Sequence, residues 1–132
     1  MTPSFTTHGL TLDAGALIAL DELSKAAIMQ ARLDEARRRG GSICIPVSVI
    51  AQAWRGPRQV RLARLIKSSD VDIAMMTLPV ARAVGVMCAT GGHQDVIDVH
   101  VALCARERHH AVVTSDIDDL AHIDPDLPLI HV

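Results

Sequence analysis

Aromatic side chains are almost missing from this chain of 132 residues: Phe5 and Trp54 are the only two, and there is no tyrosine. A protein that reads nucleobases by stacking needs aromatic faces, so sequence readout of a nucleic acid has little support beyond Trp54, which itself reads better as a core residue. With 49% apolar residues, the core falls to Val, Ile, Leu, Ala and Met packed between layers. No stretch approaches the roughly 20 apolar residues of a membrane span, and the first ten residues, MTPSFTTHGL, lack a basic start and an apolar run. A cytoplasmic protein without membrane contact is expected. Cysteine is scarce and odd in number: Cys44, Cys88 and Cys104 stand apart among apolar neighbours. Buried free thiols are expected, with neither a disulfide frame nor a zinc site. Lysine is limited to Lys25 and Lys67, neither after a late strand, which argues against a phosphoacceptor receiver domain. Repeats and low-complexity tracts are absent, and the length suits one domain over residues 1–132.

The net charge of −2 gives no global attraction to nucleic acid, but its distribution is one-sided. Arginines gather at 37–39 and 55–64, acids at 95–98 and 116–126. Along the chain, HGLTLD at 8–13 reads as a short strand ending in an aspartate, followed by helical sequence up to Gly40 and Gly41, with Ser24 a candidate cap for a second helical segment. ICIP at 43–46 is a second strand and VSVIAQAWR a helix ended by Gly56 and Pro57, with Pro57 suited to the first turn of the next helix. In RQVRLARLIK, Leu62, Leu65 and Ile66 form an inward face beside a stripe of Arg58, Arg61 and Arg64. VDIAMMTL supplies a third strand and PVARAVGVMCATGG a helix. HQDVIDVHVALCARERHH is helical, with Val96, Val99, Ala102 and Leu103 on the buried side and Asp95 and Asp98 in the first turn. AVVTSD, DIDDLAHI and LPLIHV complete the chain as strand, short helix and strand. Alternation of this kind predicts a three-layer α/β/α domain with a parallel sheet of about five strands.

Asp13 and Asp116 each follow an apolar strand run, which places both at the carboxyl edge of the sheet, where ligands of such folds collect. Asp95 and Asp98 lie one helical turn apart. Several carboxylates at one edge repel one another unless a cation neutralises them, and hard divalent cations take oxygen ligands. Each aspartate has a plainer reading as a helix cap or a partner for a helix dipole; their convergence is what favours a metal site. Asp118 and Asp119 read mainly as solvated helix acids. His100 lies on the far side of its helix from Asp98 and reads as a packing or partner-facing residue rather than a catalytic one; His93 is nearer the acids, with substrate contact its minor reading.

The pattern resembles a PIN-domain nuclease, and more narrowly a VapC-like toxin of bacterial toxin–antitoxin systems. LDAGALIAL matches the family's opening acid, IPVSVIAQAWRG its second motif, DVIDVHVALCA its mid-chain helix acid, and VVTSDIDDL its late strand followed by a hydroxyl and an acid. The resemblance implies that Asp13, Asp98 and Asp116 are the catalytic, metal-binding acids, that Asp95 is an additional metal ligand, and that Thr114 or Ser115 supplies a hydroxyl beside the site. It implies Mg2+ or Mn2+, an RNA substrate, a cognate antitoxin and a homodimer. PVARAVGVMCA, richer in apolar residues than one buried face needs, is a candidate contact helix, though a core helix is the simpler reading. The sequence departs from the family at Gln52, where most members carry glutamate; an amide offers a carbonyl oxygen but no charge. A binding module with weak or no catalysis is therefore the second functional class. Arg55, Arg58, Arg61 and Arg64 are candidates for the phosphates of RNA, or else an exposed helix face over the core.

Overall fold

A computed structural model describes residues 8–132; the amino-terminal stretch that includes Phe5 lies outside them. Five strands form one parallel sheet in the order β3-β2-β1-β4-β5, with β1 at Leu10–Leu12, β2 at Ile43–Pro46, β3 at Val71–Ala74, β4 at Ala111–Thr114 and β5 at Leu129–His131. Seven helices connect and cover them: α1 Ala14–Ala19, α2 Ala26–Arg38, α3 Val47–Ala53, α4 Val60–Ile66, α5 Leu78–Gly91, α6 Val96–Arg108 and α7 Ile117–Ile123. Every residue of β1 and β2 is buried, which an alternating strand shows only when helices cover both faces of its sheet. The expected α/β architecture is therefore observed.

The core joins Leu10, Leu12, Leu17, Leu33, Ile43, Ile45, Val101 and Val113 among others. Burying a side chain such as Leu12 completely contributes about 1.5–3 kcal/mol, so the central strands anchor the domain. A buried histidine fastens the amino end of the sheet: His110 bonds Thr11 Oγ1 through Nδ1 at 3.0 Å and Ser42 Oγ through Nε2 at 2.9 Å. Burial first, and then the Arg108 charge, push its imidazole below the usual range.

Strand order fixes where a ligand can bind. The chain winds from β1 through β2 to β3 on one side, then returns to the centre at β4 and moves outward to β5 on the other. The winding direction reverses between β1 and β4, and the carboxyl ends of those strands border the crevice that such a reversal opens. Asp13 follows β1 directly and Asp116 follows β4 by two residues.

Several local expectations change. Ser24 does not cap α2, which begins at Ala26 after Lys25 with no side-chain cap. Pro57 stands outside α4: the Gln59 side chain accepts from Arg55 N–H at 2.6 Å and donates to the Ala53 carbonyl at 2.9 Å, holding 54–59 as a loop. The first turn of α4 is instead capped by Asp21, which accepts from the backbone N–H groups of Arg61 and Leu62 at 3.0 and 3.1 Å. The strand expected through VDIAMMTL stops at Ala74, because Thr77 is already the N-cap of α5, with Pro79 in its first turn. Val96 is 50% exposed rather than buried, whereas Val99, Ala102 and Leu103 are buried as expected. Trp54 is 36% exposed, because it lies beyond the last turn of α3 rather than on its buried face. Cys44 and Cys104 are buried free thiols, but Cys88 is half-buried.

Candidate metal centre

Local structure brings the acids together. Asp13 is the N-cap of α1, in extended backbone, and its Oδ1 accepts from Ala14 N–H at 2.8 Å. Its Oδ2 accepts from the Thr114 hydroxyl at 2.9 Å, and the same hydroxyl oxygen accepts from Asp116 N–H at 2.9 Å. One buried threonine thus fixes Asp13 by donating and the backbone of Asp116 by accepting. Ser115, the other hydroxyl expected here, lies against the backbone of α1: a Cβ on Gly15 would overlap its side chain. Gly15 therefore lets the segment after β4 close onto the first turn of α1, which brings Asp116 towards Asp13.

The third arm is α6. Asp95 is not inside its first turn but is its N-cap, and its Oδ1 accepts from the N–H groups of Ile97 and Asp98 at 3.0 Å each. Asp98, half-buried in the first turn, has its pKa pushed up to about 7, by burial first and then by Asp95, Asp13, Asp116 and Asp119. Four carboxylates are thus close enough to oppose its charge. Asp116 is also raised, first because the Asp119 carboxyl is placed to share a proton with it, then by burial and by the charges of Asp119 and Asp13.

Asp98, Asp116 and Asp119 each offer a carboxylate oxygen within 4.8 Å of the others, the only group of three or more potential donors among the described residues. Asp119 was expected to be a solvated acid. It joins because Asp116 stands at the N-cap position of α7, with its side chain bonded to no helix N–H, and Asp119 sits one turn on, so their carboxylates share a helix face. The adjacent Asp118, exposed and pointing elsewhere on α7, hid that spacing in the run DIDDL. Asp13 stands beside this trio, more deeply buried at 5% exposure and with both oxygens hydrogen-bonded. Asp95 stands beside it with one oxygen given to the helix cap. Converging hard oxygens, with a mutual repulsion that raises the proton affinity of Asp98 and Asp116, fit a divalent cation, which would relieve that repulsion without a proton.

Gln52 is half-buried on α3, and its side-chain oxygen is buried without a hydrogen-bond donor. His100 is completely buried and bonds Ser48 Oγ through Nδ1 at 2.9 Å, so it packs between α6 and α3, as expected. Arg55, Arg58, Arg61 and Arg64 are all exposed and form no ion pair among the described residues. Arg61 and Arg64 line a cleft of about 140 Å³ with Arg37 and Ser68.

No family model matches the chain, and no curated protein matches it significantly. Among solved structures, a chain of FitAB bound to an IR36 DNA fragment is similar, with a TM-score of 0.63 and 14% sequence identity over 92% of this chain and 94% of that one. At that identity the likeness is one of fold.

Proposed function

We propose that the protein is a metal-dependent endoribonuclease with a PIN-like fold, acting as the toxin of a toxin–antitoxin pair. The observation that carries this reading is the convergence of Asp98, Asp116 and Asp119 beside the buried Asp13, at the switch point of a parallel sheet. The motif order in LDAGALIAL, DVIDVHVALCA and VVTSDIDDL, together with a fold shared over nearly the full length with a FitAB chain, supports the same family.

Asp98, Asp116 and Asp119 would hold Mg2+ or Mn2+, with Asp13 and Asp95 completing the negative surround. A bound divalent cation at such a site lowers the pKa of coordinated water and offsets charge on a phosphodiester. The chain's own contribution is positioning. Thr114 fixes the Asp13 carboxylate and the Asp116 backbone, the α6 cap fixes Asp95, and the Gly15–Ser115 contact holds the two strand ends together. The hydroxyl role belongs to Thr114 by its hydrogen bonds, while Ser115 acts by packing. Arg55, Arg58, Arg61 and Arg64, exposed and in no ion pair among the described residues, would hold the RNA backbone against a site that otherwise repels it. Met75, Leu78, Val86 and Val96 leave apolar side chains in solvent, and they would be covered by a second copy or by the antitoxin.

A second reading rests on Gln52. Its unpartnered oxygen leaves the place of the expected acid without charge, which favours a weakly active module that still binds RNA. One experiment separates the two: labelled RNA incubated with the purified protein in Mg2+ or Mn2+, beside the Asp116→Asn variant. Cleavage by the wild type and its loss in the variant support the nuclease; retention of RNA without cleavage by either supports the binding module.

A further inference from the structure

Beside the carboxylates lies a cleft of about 200 Å³ lined by Asp95, Asp98 and Asp119 together with His93, Gln94 and His122. Two imidazoles from distant parts of the chain meet there. His93 lies in the link between α5 and α6, His122 in the last turn of α7, and their rings pair edge to face with centroids 5.4 Å apart and planes at 87°. The half-buried His93 ring rests directly on the helix backbone, because a Cβ on Gly91 would overlap its Cδ2 and Nε2. The ring is therefore positioned by the end of α5 rather than free in solvent. The pair does not converge with the acids into a further set of three ligand atoms, since the only such set among the described residues is Asp98, Asp116 and Asp119. Its chemistry is that of flat faces with polar edges, in a chain otherwise almost without aromatic surface.

We propose that the His93–His122 pair is the seat of one nucleobase of the substrate strand, next to the phosphate presented to the carboxylates. This rests on the ribonuclease reading above. A base entering the cleft stacks on an imidazole face, while ring nitrogens and the Gln94 amide reach its edge. The sugar–phosphate backbone is then left beside Asp98 and Asp119. Stacking of this kind tolerates every base, and the polar edges give a preference among them. The seat makes His93 and His122 positioning and specificity residues, with no part in moving protons.

Two arms test the assignment in the full-length protein. In chelator, so that no RNA is cut, imidazole Cε1–H resonances are followed by NMR during titration with a short oligoribonucleotide and with an abasic strand of the same length. Shifts at His93 and His122 with the base-bearing strand, and none with the abasic one, are expected. Equal shifts with both strands would mean a phosphate contact, and no shift with either would mean no contact; both results overturn the seat. With metal added, His122→Ala is expected to raise KM about fivefold or more with little change in kcat and to redistribute the cut sites, and His122→Phe to recover most of the KM loss. A wild type that cuts RNA, with His93→Ala and His122→Ala leaving KM and cut sites unchanged, overturns the seat while the nuclease stands. If the wild type does not cut, the ribonuclease reading fails and the titration alone decides the seat.

Discussion

Substituting Asp98 with asparagine should stabilise the metal-free protein, and the gain should grow with pH. Asp98 has an ordinary pKa of 3.8 and one of about 7 in the folded chain. A carboxylate whose folded pKa is raised favours the folded state less and less as pH climbs from the unfolded value to the folded one. The penalty is absent below about pH 4 and complete above about pH 7. Converted at 1.36 kcal/mol per pH unit, the difference is roughly 4 kcal/mol. Asp98 is only half-buried, however, and screening by solvent reduces this to about 1–2 kcal/mol. Asp98→Asn removes the charge while nearly keeping the shape. At pH 8 and low salt it should raise Tm by about 3–6 °C in a domain of this size, with no gain at pH 4. Thermal unfolding followed by circular dichroism in chelator, at pH values between those limits, measures the effect. Millimolar Mg2+ should raise the Tm of the wild type at pH 8 and leave that of the variant nearly unchanged. Parallel Tm curves for the two proteins across the whole range would refute the repulsion argument.

Asp119→Asn and Asp116→Asn should each weaken Mn2+ binding by about tenfold or more, whereas Asp118→Asn should leave it unchanged; calorimetric titration with Mn2+ distinguishes them, and equal effects of the Asp118 and Asp119 variants would remove Asp119 from the centre. Gln52→Glu should tighten metal binding in the same titration, and no change would place residue 52 outside the centre. Replacing Arg58 and Arg61 with alanine should reduce the slope of log affinity for RNA against log salt by about one to two; an unchanged slope returns both to the solvated surface.

The parallel fold was readable because apolar strand runs and helical stretches alternate without interruption, and the place of Asp13 and Asp116 at the carboxyl edge was readable because Asp13 directly follows such a run and Asp116 stands two residues beyond one. Asp119 was not, since spacing within DIDDL makes Asp118 and Asp119 look alike until α7 has a defined first residue. Val96 and Trp54 are exposed for a related reason: composition marks a residue as apolar, but the start of α6 and the end of α3 decide which way it faces. The capping of α4 by Asp21 joins residues about 40 apart, and no local pattern announces such a contact. The His93–His122 pairing is likewise tertiary, formed only when α7 folds back beside the link into α6.

The proposed activity is cleavage of RNA by the aspartate centre through a divalent cation. Its most direct test is the rate of RNA cleavage by the wild-type protein first in chelator and then after restoring Mn2+ in excess. No cleavage in chelator, followed by recovery on adding Mn2+ that Asp13→Asn and Asp116→Asn fail to show while remaining folded, is the expected result. Cleavage at the same rate in chelator, or undiminished in either variant, would contradict it.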